Sequence, residues 1–168
     1  MIFDAGPLIT VCKFSVAGRQ IVDYILSHCE ITIVASVRDE VVIAGNRYPD
    51  AQVARQRIDN GQIAVLSAPS NPALEAIITL YSLGDGERDT ILLTEHASLQ
   101  NATLVIDDHL AYLVCDRLGC RKQFLLDVIA NLASTGKLDK GLAINIVQAI
   151  RSRYPLAFIE HTLLLLHG

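Results

Sequence analysis

The sequence predicts an α/β three-layer sandwich built on a central parallel sheet of four or five strands. Three observations lead there. Short β-rich runs alternate with stretches of helical periodicity. The segments between those runs are long enough for the crossovers that parallel pairing requires. Acidic residues recur just after strand ends, where open parallel sheets form their sites.

The first strand falls at 2–4 and ends on Asp4. Pro7 sits near the first turn of a helix over 7–14, where its missing N–H is harmless. A helix over 18–28 carries Ile21, Val22, Ile25 and Leu26 as its apolar positions. "EITIVA" (30–35) is the second strand, and Ser36 is placed to cap a helix over 37–45, with Asp39 three residues later. A polar helix over 50–60 leads to the strand "QIAVL" (62–66). Helices over 72–81 and 87–99 come next, then the strand "ATLVI" (102–106) and a helix over 109–118. Beyond Gly119 the pattern is helical: 123–134, a break at "TGK", 139–152 and, after Pro155, the segment "LAFIEHTLLLL". No repeat or linker divides the chain, so 1–168 reads as a single domain with 139–168 as a helical C-terminal extension.

Half of the residues are apolar and about a fifth charged, a globular balance. A mean hydropathy of +0.37 is high, yet no apolar run approaches the roughly 20 residues of a membrane helix. The excess points to burial or to an oligomer surface. "MIFDAGPLI" has no basic leader and is not expected to be a signal peptide. Cys12, Cys29, Cys115 and Cys120 form no CxxC pair and have no histidine at zinc spacing, which suits free thiols in a reducing cytoplasm. A net charge of −4 argues against holding nucleic acid by bulk electrostatics, though not against a local basic patch.

The acids carry the chemistry. Asp4, between strand and helix, is either an N-cap or a site residue. Glu40 projects beside the apolar stripe Val37, Val41 and Ala44, so it is either a snorkelling glutamate or a half-buried charge in need of a partner. In "SLGDGERDTILLTE" (82–95), Asp85 serves as the cap and Glu87 as a first-turn charge favoured by the helix dipole. Asp89, which projects with Leu92, Leu93 and His96, has neither explanation. One of Asp107 and Asp108 suffices as the next cap, and the other is surplus to structure. Asp4, Glu40, Asp89 and Asp107 would thus converge at one sheet edge. Four such carboxylates raise one another's pKa or bind a cation, and oxygen-only donors favour Mg²⁺ or Mn²⁺. Such ions suit phosphodiester hydrolysis.

In this arrangement the chain resembles the PIN-domain family of nucleases. "IFDAGPLITVCKF" is similar to that family's first strand and helix, and "VASVRDEVV" to its second segment, a glutamate one helical turn after a strand. "LGDGERDTILLTEHASLQNATLVIDDHLAYLVCDRLG" resembles its strongest block, with Asp89 and Asp107 18 positions apart. "FLLDVIANLASTGKL" is similar to the next helix of a toxin-type branch. The likeness extends from residue 1 to roughly 140. Two features depart from the family pattern: Ala5 stands where many members carry Ser or Thr, and "CRKQF" lacks the usual apolar fifth strand. The resemblance implies a Mg²⁺- or Mn²⁺-dependent ribonuclease, often the toxin of a toxin–antitoxin pair and often a homodimer. Carried over, Asp4, Glu40, Asp89 and Asp107 are the catalytic metal ligands, with Glu87 and Asp108 in second rank.

The expected protein is therefore a cytoplasmic endoribonuclease acting on RNA, with an antitoxin protein as a further partner and no membrane association. Lys13, Arg88, Arg117, Arg121 and Lys122 are candidate contacts to the RNA backbone, each set against the plainer reading of a solvated surface charge. The rival reading is a catalytically weak PIN-like protein acting through partner binding, motivated by the apolar tail. An aspartyl-phosphate phosphatase is disfavoured because no second aspartate follows Asp4 two residues on.

Overall fold

The computed structural model describes residues 1–44 and 47–168, the side chain of Ala44 excepted. In chain order the elements are β1 (Ile2–Phe3), α1 (Ala5–Lys13), β2 (Ser15–Val16), β3 (Arg19–Gln20), α2 (Ile21–Leu26), β4 (Ile31–Val34) and α3 (Ala35–Arg38). A π-helical stretch, Asp39–Ala44, continues α3. Next come α4 (Pro49–Asp59), β5 (Ile63–Leu66), α5 (Pro72–Ile78), α6 (Asp85–Leu92), β6 (Leu104–Val105), α7 (His109–Arg117) and β7 (Lys122–Gln123). The chain ends with α8 (Leu125–Ser134), α9 (Lys140–Ala149) and α10 (Leu156–His167).

Five strands form one parallel sheet in the order β5-β4-β1-β6-β7, flanked by helices. The short central strand β1 is fixed from both sides, Ile2 pairing with Thr32 and Leu104, and Phe3 with Val105. Ile2, Phe3, Ile31, Ile33 and Leu104 are buried, the run of apolar residues expected of strands covered on both faces. From β1 the chain crosses to β4 on one side, and from β6 to β7 on the other. The strand order therefore reverses between β1 and β6, and a crevice opens outside their C-terminal ends. Asp4 and Asp107 lie just beyond those two strands.

Several local expectations change. The helix expected over 18–28 gives way to the hairpin β2–β3 and the short α2. Its two-residue turn takes Ala17 and Gly18 to φ +52° and +76°, the twist a tight hairpin needs. Ser36 does not cap α3: Val34 holds that position, and Ser36 lies one residue inside the helix. The expected end of that helix at residue 45 lies outside the described residues. The helix expected over 87–99 starts at Asp85 and breaks after Leu92 into two 3₁₀ turns. A fifth strand exists, since Lys122–Gln123 pairs with Leu104–Val105 as an edge strand. The break at "TGK" is a turn with Gly136 at φ +70°.

Helices α8, α9 and α10 pack against one another. Helix α10 buries Ile159, Thr162 and Leu166, while Leu156, Phe158, Leu164 and Leu165 stay exposed. Among the described residues no helix is long and apolar enough to cross a membrane. All four cysteines are free thiols.

Candidate functional site

An open cleft of about 620 Å³ lies at the crevice between the strand ends. Five of its six lining carboxylates come from three segments: Asp4 after β1, Asp39 and Glu40 after α3, and Asp85 and Glu87 in the first turn of α6. Asp108, after β6, closes the set. Ser36, Gly84 and Gly86 line it as well. No Cys or His is among the described lining residues.

Asp4 decides what this cleft can do. It holds the N-cap position of α1, yet its side chain makes no capping hydrogen bond. It is only 5% exposed, and its Oδ1 is buried without a partner. Burial pushes its carboxyl up to about 7, and the negative charges of Glu87, Glu40 and Asp107 push the same way, against a nearby Ala5 amide that favours the ionised form. An N-cap reading leaves this oxygen unexplained. The Ser36 hydroxyl, in the same cleft, is likewise buried and unpartnered.

Glu40 enters through the π-helical stretch that widens the turn after α3, a distortion that recurs at functional sites. Gly86 makes room for it. A methyl group there would sit 3.2 Å from Glu40 Oε2 and 3.5 Å from Val37 Cγ2. Since the Glu40 carboxylate is free to swing, Gly86→Ala is expected to keep the fold within about 1 kcal/mol, as helical Gly-to-Ala changes do. It should nonetheless displace Glu40, which paired thermal melts and a structural comparison of the two proteins would show.

The expected quartet does not assemble as a unit. Asp4 and Glu40 meet in the cleft, but Asp89 does not join them. It lies one helical turn further along α6 and lines a different cavity with Arg88, Ser67, Ser70 and Glu75. Arg88 pairs with it at 3.0 Å and with Asp85 at 2.8 Å. Two residues apart on a helix, Glu87 and Asp89 leave it on nearly opposite sides: Glu87 lines the acidic cleft, whereas Asp89 faces the ends of β4 and β5 through Val34 and Ser67. The cap assignment changes too. Gly84 is the N-cap of α6, and Glu87 Oε2 accepts its amide proton at 2.8 Å, while Asp85 is an exposed first-turn acid.

Asp107 and Asp108 divide their work. Asp108 caps α7 by accepting from the Ala111 amide at 2.8 Å and faces the cleft. Asp107 turns to the other side of the strand end. Its Oδ1 accepts from the Leu125 amide at 3.1 Å, and its Oδ2 accepts from the Tyr154 hydroxyl at 2.5 Å. Burial raises its pKa, offset in part by the Tyr154 and Leu125 hydrogen bonds. Tyr154 had no signal in the sequence, because a contact 47 residues away carries no local pattern. The basic candidates scatter. Arg88 is engaged by Asp85 and Asp89, Arg117 donates to the Tyr81 hydroxyl, and Lys122 pairs with Asp116. Lys13 and Arg121 are exposed and line none of the cavities described.

Among the described residues no group of three or more Asp, Glu, His or Cys side chains is arranged to hold a metal ion as it stands. Glu87, Asp108 and Asp107 are turned toward backbone amides, which accounts for the open arrangement. The donor chemistry does fit a hard divalent cation. The lining offers carboxylate and hydroxyl oxygens, two of them buried and orphaned.

A parallel sheet with an oxygen-lined acidic cleft at its switch point defines the class: an α/β protein with carboxylates clustered outside its strand ends. Comparison with family models supplies the rest. The DUF3368 model, a PIN domain, matches residues 1–162, and the chain belongs to the PIN-domain family, a nuclease-type family whose members typically use divalent metals. The match runs past residue 140 into α10, so the C-terminal helices belong to it. No curated protein and no solved structure matches the chain.

Proposed function

We propose that the protein is a Mg²⁺- or Mn²⁺-dependent endoribonuclease acting on single-stranded or loop RNA. One observation carries the reading: the buried, unpartnered oxygen of Asp4 among the carboxylates of Glu40 and Glu87. A carboxylate so placed gains most from a divalent cation, which relieves both the desolvation and the repulsion. Asp4, Glu40 and Glu87 would hold the ion, with Asp108 at the rim and Asp107 behind it. When bound, the ion supplies Lewis acidity toward a phosphate oxygen and a water that is nucleophilic near neutral pH.

The chain's own residues set the geometry. The backbone pairing of β1 on both sides fixes Asp4, and burial in the sheet leaves its side chain little freedom. The Tyr154 hydroxyl and the Leu125 amide hold Asp107 in one orientation. Ser36 offers a hydroxyl that can donate to a phosphate oxygen or accept from a water.

The test is purified protein incubated with single-stranded RNA, or DNA of the same sequence, with and without Mn²⁺. Metal-dependent cleavage of the RNA supports the reading, and cleavage that survives Asp4→Asn sinks it. Glu87 and Asp89 separate in the same assay. Glu87→Gln keeps the hydrogen bond to Gly84 but removes the charge, and should cost about 10- to 100-fold in activity or metal affinity. Asp89→Asn should leave activity near wild type and change stability by no more than about 1 kcal/mol, the scale of a half-exposed ion pair.

The proposal extends to a toxin of a toxin–antitoxin pair working in the cytoplasm. Exposed Leu164 and Leu165 at the end of α10 support a protein contact there, with a second copy or an antitoxin protein as the partner. They also favour the second reading, a PIN-domain protein that acts by binding. Full partner binding by an Asp4→Asn variant that has lost no biological effect would select that second reading.

A further inference from the structure

Beside the acidic cleft lies a second cavity of a different kind. It measures about 440 Å³, within the range of small-ligand pockets, and opens between the first turn of α7 and the N-terminal half of α10. Aromatic rings form its wall. Tyr112 and Phe124 stack face to face, with centroids 4.3 Å apart and an interplanar angle of 4°. Phe158 extends the stack at 5.8 Å and 28°. One end of the stack is covered by the Lys122 ammonium, 4.7 Å from the Tyr112 centroid. The other end, Phe158, is 50% exposed, whereas its neighbour Ile159 is 3% exposed. A column of rings closed at one end and open at the other offers a flat apolar face to a planar ligand.

The polar groups round this cavity point to what that ligand is. His109, Arg153 and His161 line it together with the carboxylates of Asp107 and Asp127, so one guanidinium and a mixed set of hydrogen-bond donors and acceptors suited to the edge of a base surround the rings. On α10, Phe158, His161 and Thr162 follow i, i+3, i+4 spacing and share one helix face. The cavity borders the site described above through consecutive residues. Asp108 lines the acidic cleft, while its neighbours Asp107 and His109 line this groove. Arg153 stands close enough to Asp107 to favour its ionised form, and Tyr154, which holds Asp107, is part of the groove wall. Exposed leucines suited to a protein partner, Leu164 and Leu165, are not among the residues lining this groove.

We propose that this groove is a nucleobase subsite. It would take the base of a nucleotide next to the scissile phosphodiester of single-stranded RNA, stacked on Phe158, with His161 and Arg153 reaching its polar edge or its phosphate. Base stacking on an exposed ring tolerates sequence, and the histidines and arginine supply what preference there is. The inference rests on the RNA-cleaving reading of the acidic cleft, and its test is separable from that reading because it uses binding without metal.

The probe is a short fluorescent single-stranded oligoribonucleotide, together with a series in which one base at a time is replaced by an abasic riboside. Affinity is read by anisotropy in EDTA for wild type, Phe158→Ala, Phe158→Tyr and His161→Ala. Phe158→Ala should weaken binding about tenfold, within the range of base–aromatic stacking, and Phe158→Tyr should restore it. In the abasic series one position should cost wild type a similar factor and cost Phe158→Ala nothing. Equal affinity of wild type and Phe158→Ala, or a Phe158→Ala loss that persists with the abasic riboside at every position, overturns the proposal. A change in sedimentation of Phe158→Ala with RNA affinity intact assigns the face to a protein contact and also overturns it. Base-dependent binding by a protein that cleaves nothing keeps the subsite and removes the nuclease reading. Metal-dependent cleavage without base dependence does the reverse.

Discussion

Asp4→Asn is expected to lower metal-dependent cleavage by roughly 10²-fold or more, the largest effect on activity of any single substitution in the cleft. The reasoning is geometric. Replacing groups that merely orient a metal ligand typically costs about 10- to 100-fold, and Asp4 would touch the ion itself. Its Oδ1 has no other partner that could compensate or compete. Asn keeps the size and one oxygen, so the fold should survive and the loss can be read as chemistry. Asp107→Asn is less clean, because both Asp107 oxygens already accept hydrogen bonds that tie α8 and the segment before α10 to the strand end. Single-turnover rates with saturating Mn²⁺ and RNA check the expectation for Asp4.

The same substitution is expected to stabilise the metal-free protein, increasingly so as pH rises. Asp4 titrates near 7 in the folded chain and near 3.8 when unfolded. The folded state therefore binds the extra proton between those values, and stability falls as pH climbs through that window. At about 1.4 kcal/mol per pH unit, the full penalty above neutrality is on the order of 4 kcal/mol, as burial and the neighbouring carboxylates impose it. Asn carries no such penalty. Thermal melts in EDTA should show Asp4→Asn gaining little at pH 4 and on the order of 10 °C at pH 8, given the scale for a chain of this size. Added Mg²⁺ should shrink the difference by stabilising wild type alone. A site that loses stability to gain function has this signature.

The sheet was legible in the sequence because four of its strands carry their own apolar or β-branched runs. β7 was not, since Lys122–Gln123 is a two-residue edge strand of polar side chains, too short to carry a pattern. The β2–β3 hairpin hid inside a helical pattern because its turn relies on Ala17 taking a positive φ, which no residue type at that position announces. For the candidate site, the place of Asp4 and Glu40 in the cleft was readable from their position after strands. The choice between Glu87 and Asp89 was not, because helical periodicity shows which residues share a face of α6 but not which face meets the cleft beside Asp4 and which meets the ends of β4 and β5. Gly84 and Gly86 around Asp85 were the available signal: a close approach at Gly86 marks the turn of the helix that faces Glu40. The pull of Tyr154 on Asp107 arises from packing between distant segments, and only coordinates could show it.

The account turns on whether burial and acidic neighbours hold the Asp4 carboxyl far above the ordinary aspartate range until a cation arrives. An NMR titration of the Asp4 side-chain carbon, in EDTA and then in Mg²⁺, measures this directly. The predicted midpoint is about 7 without metal, falling by about 1 to 3 units when Mg²⁺ is present, as a close opposite charge demands. A midpoint near that of an ordinary aspartate in EDTA, unmoved by Mg²⁺, would contradict it.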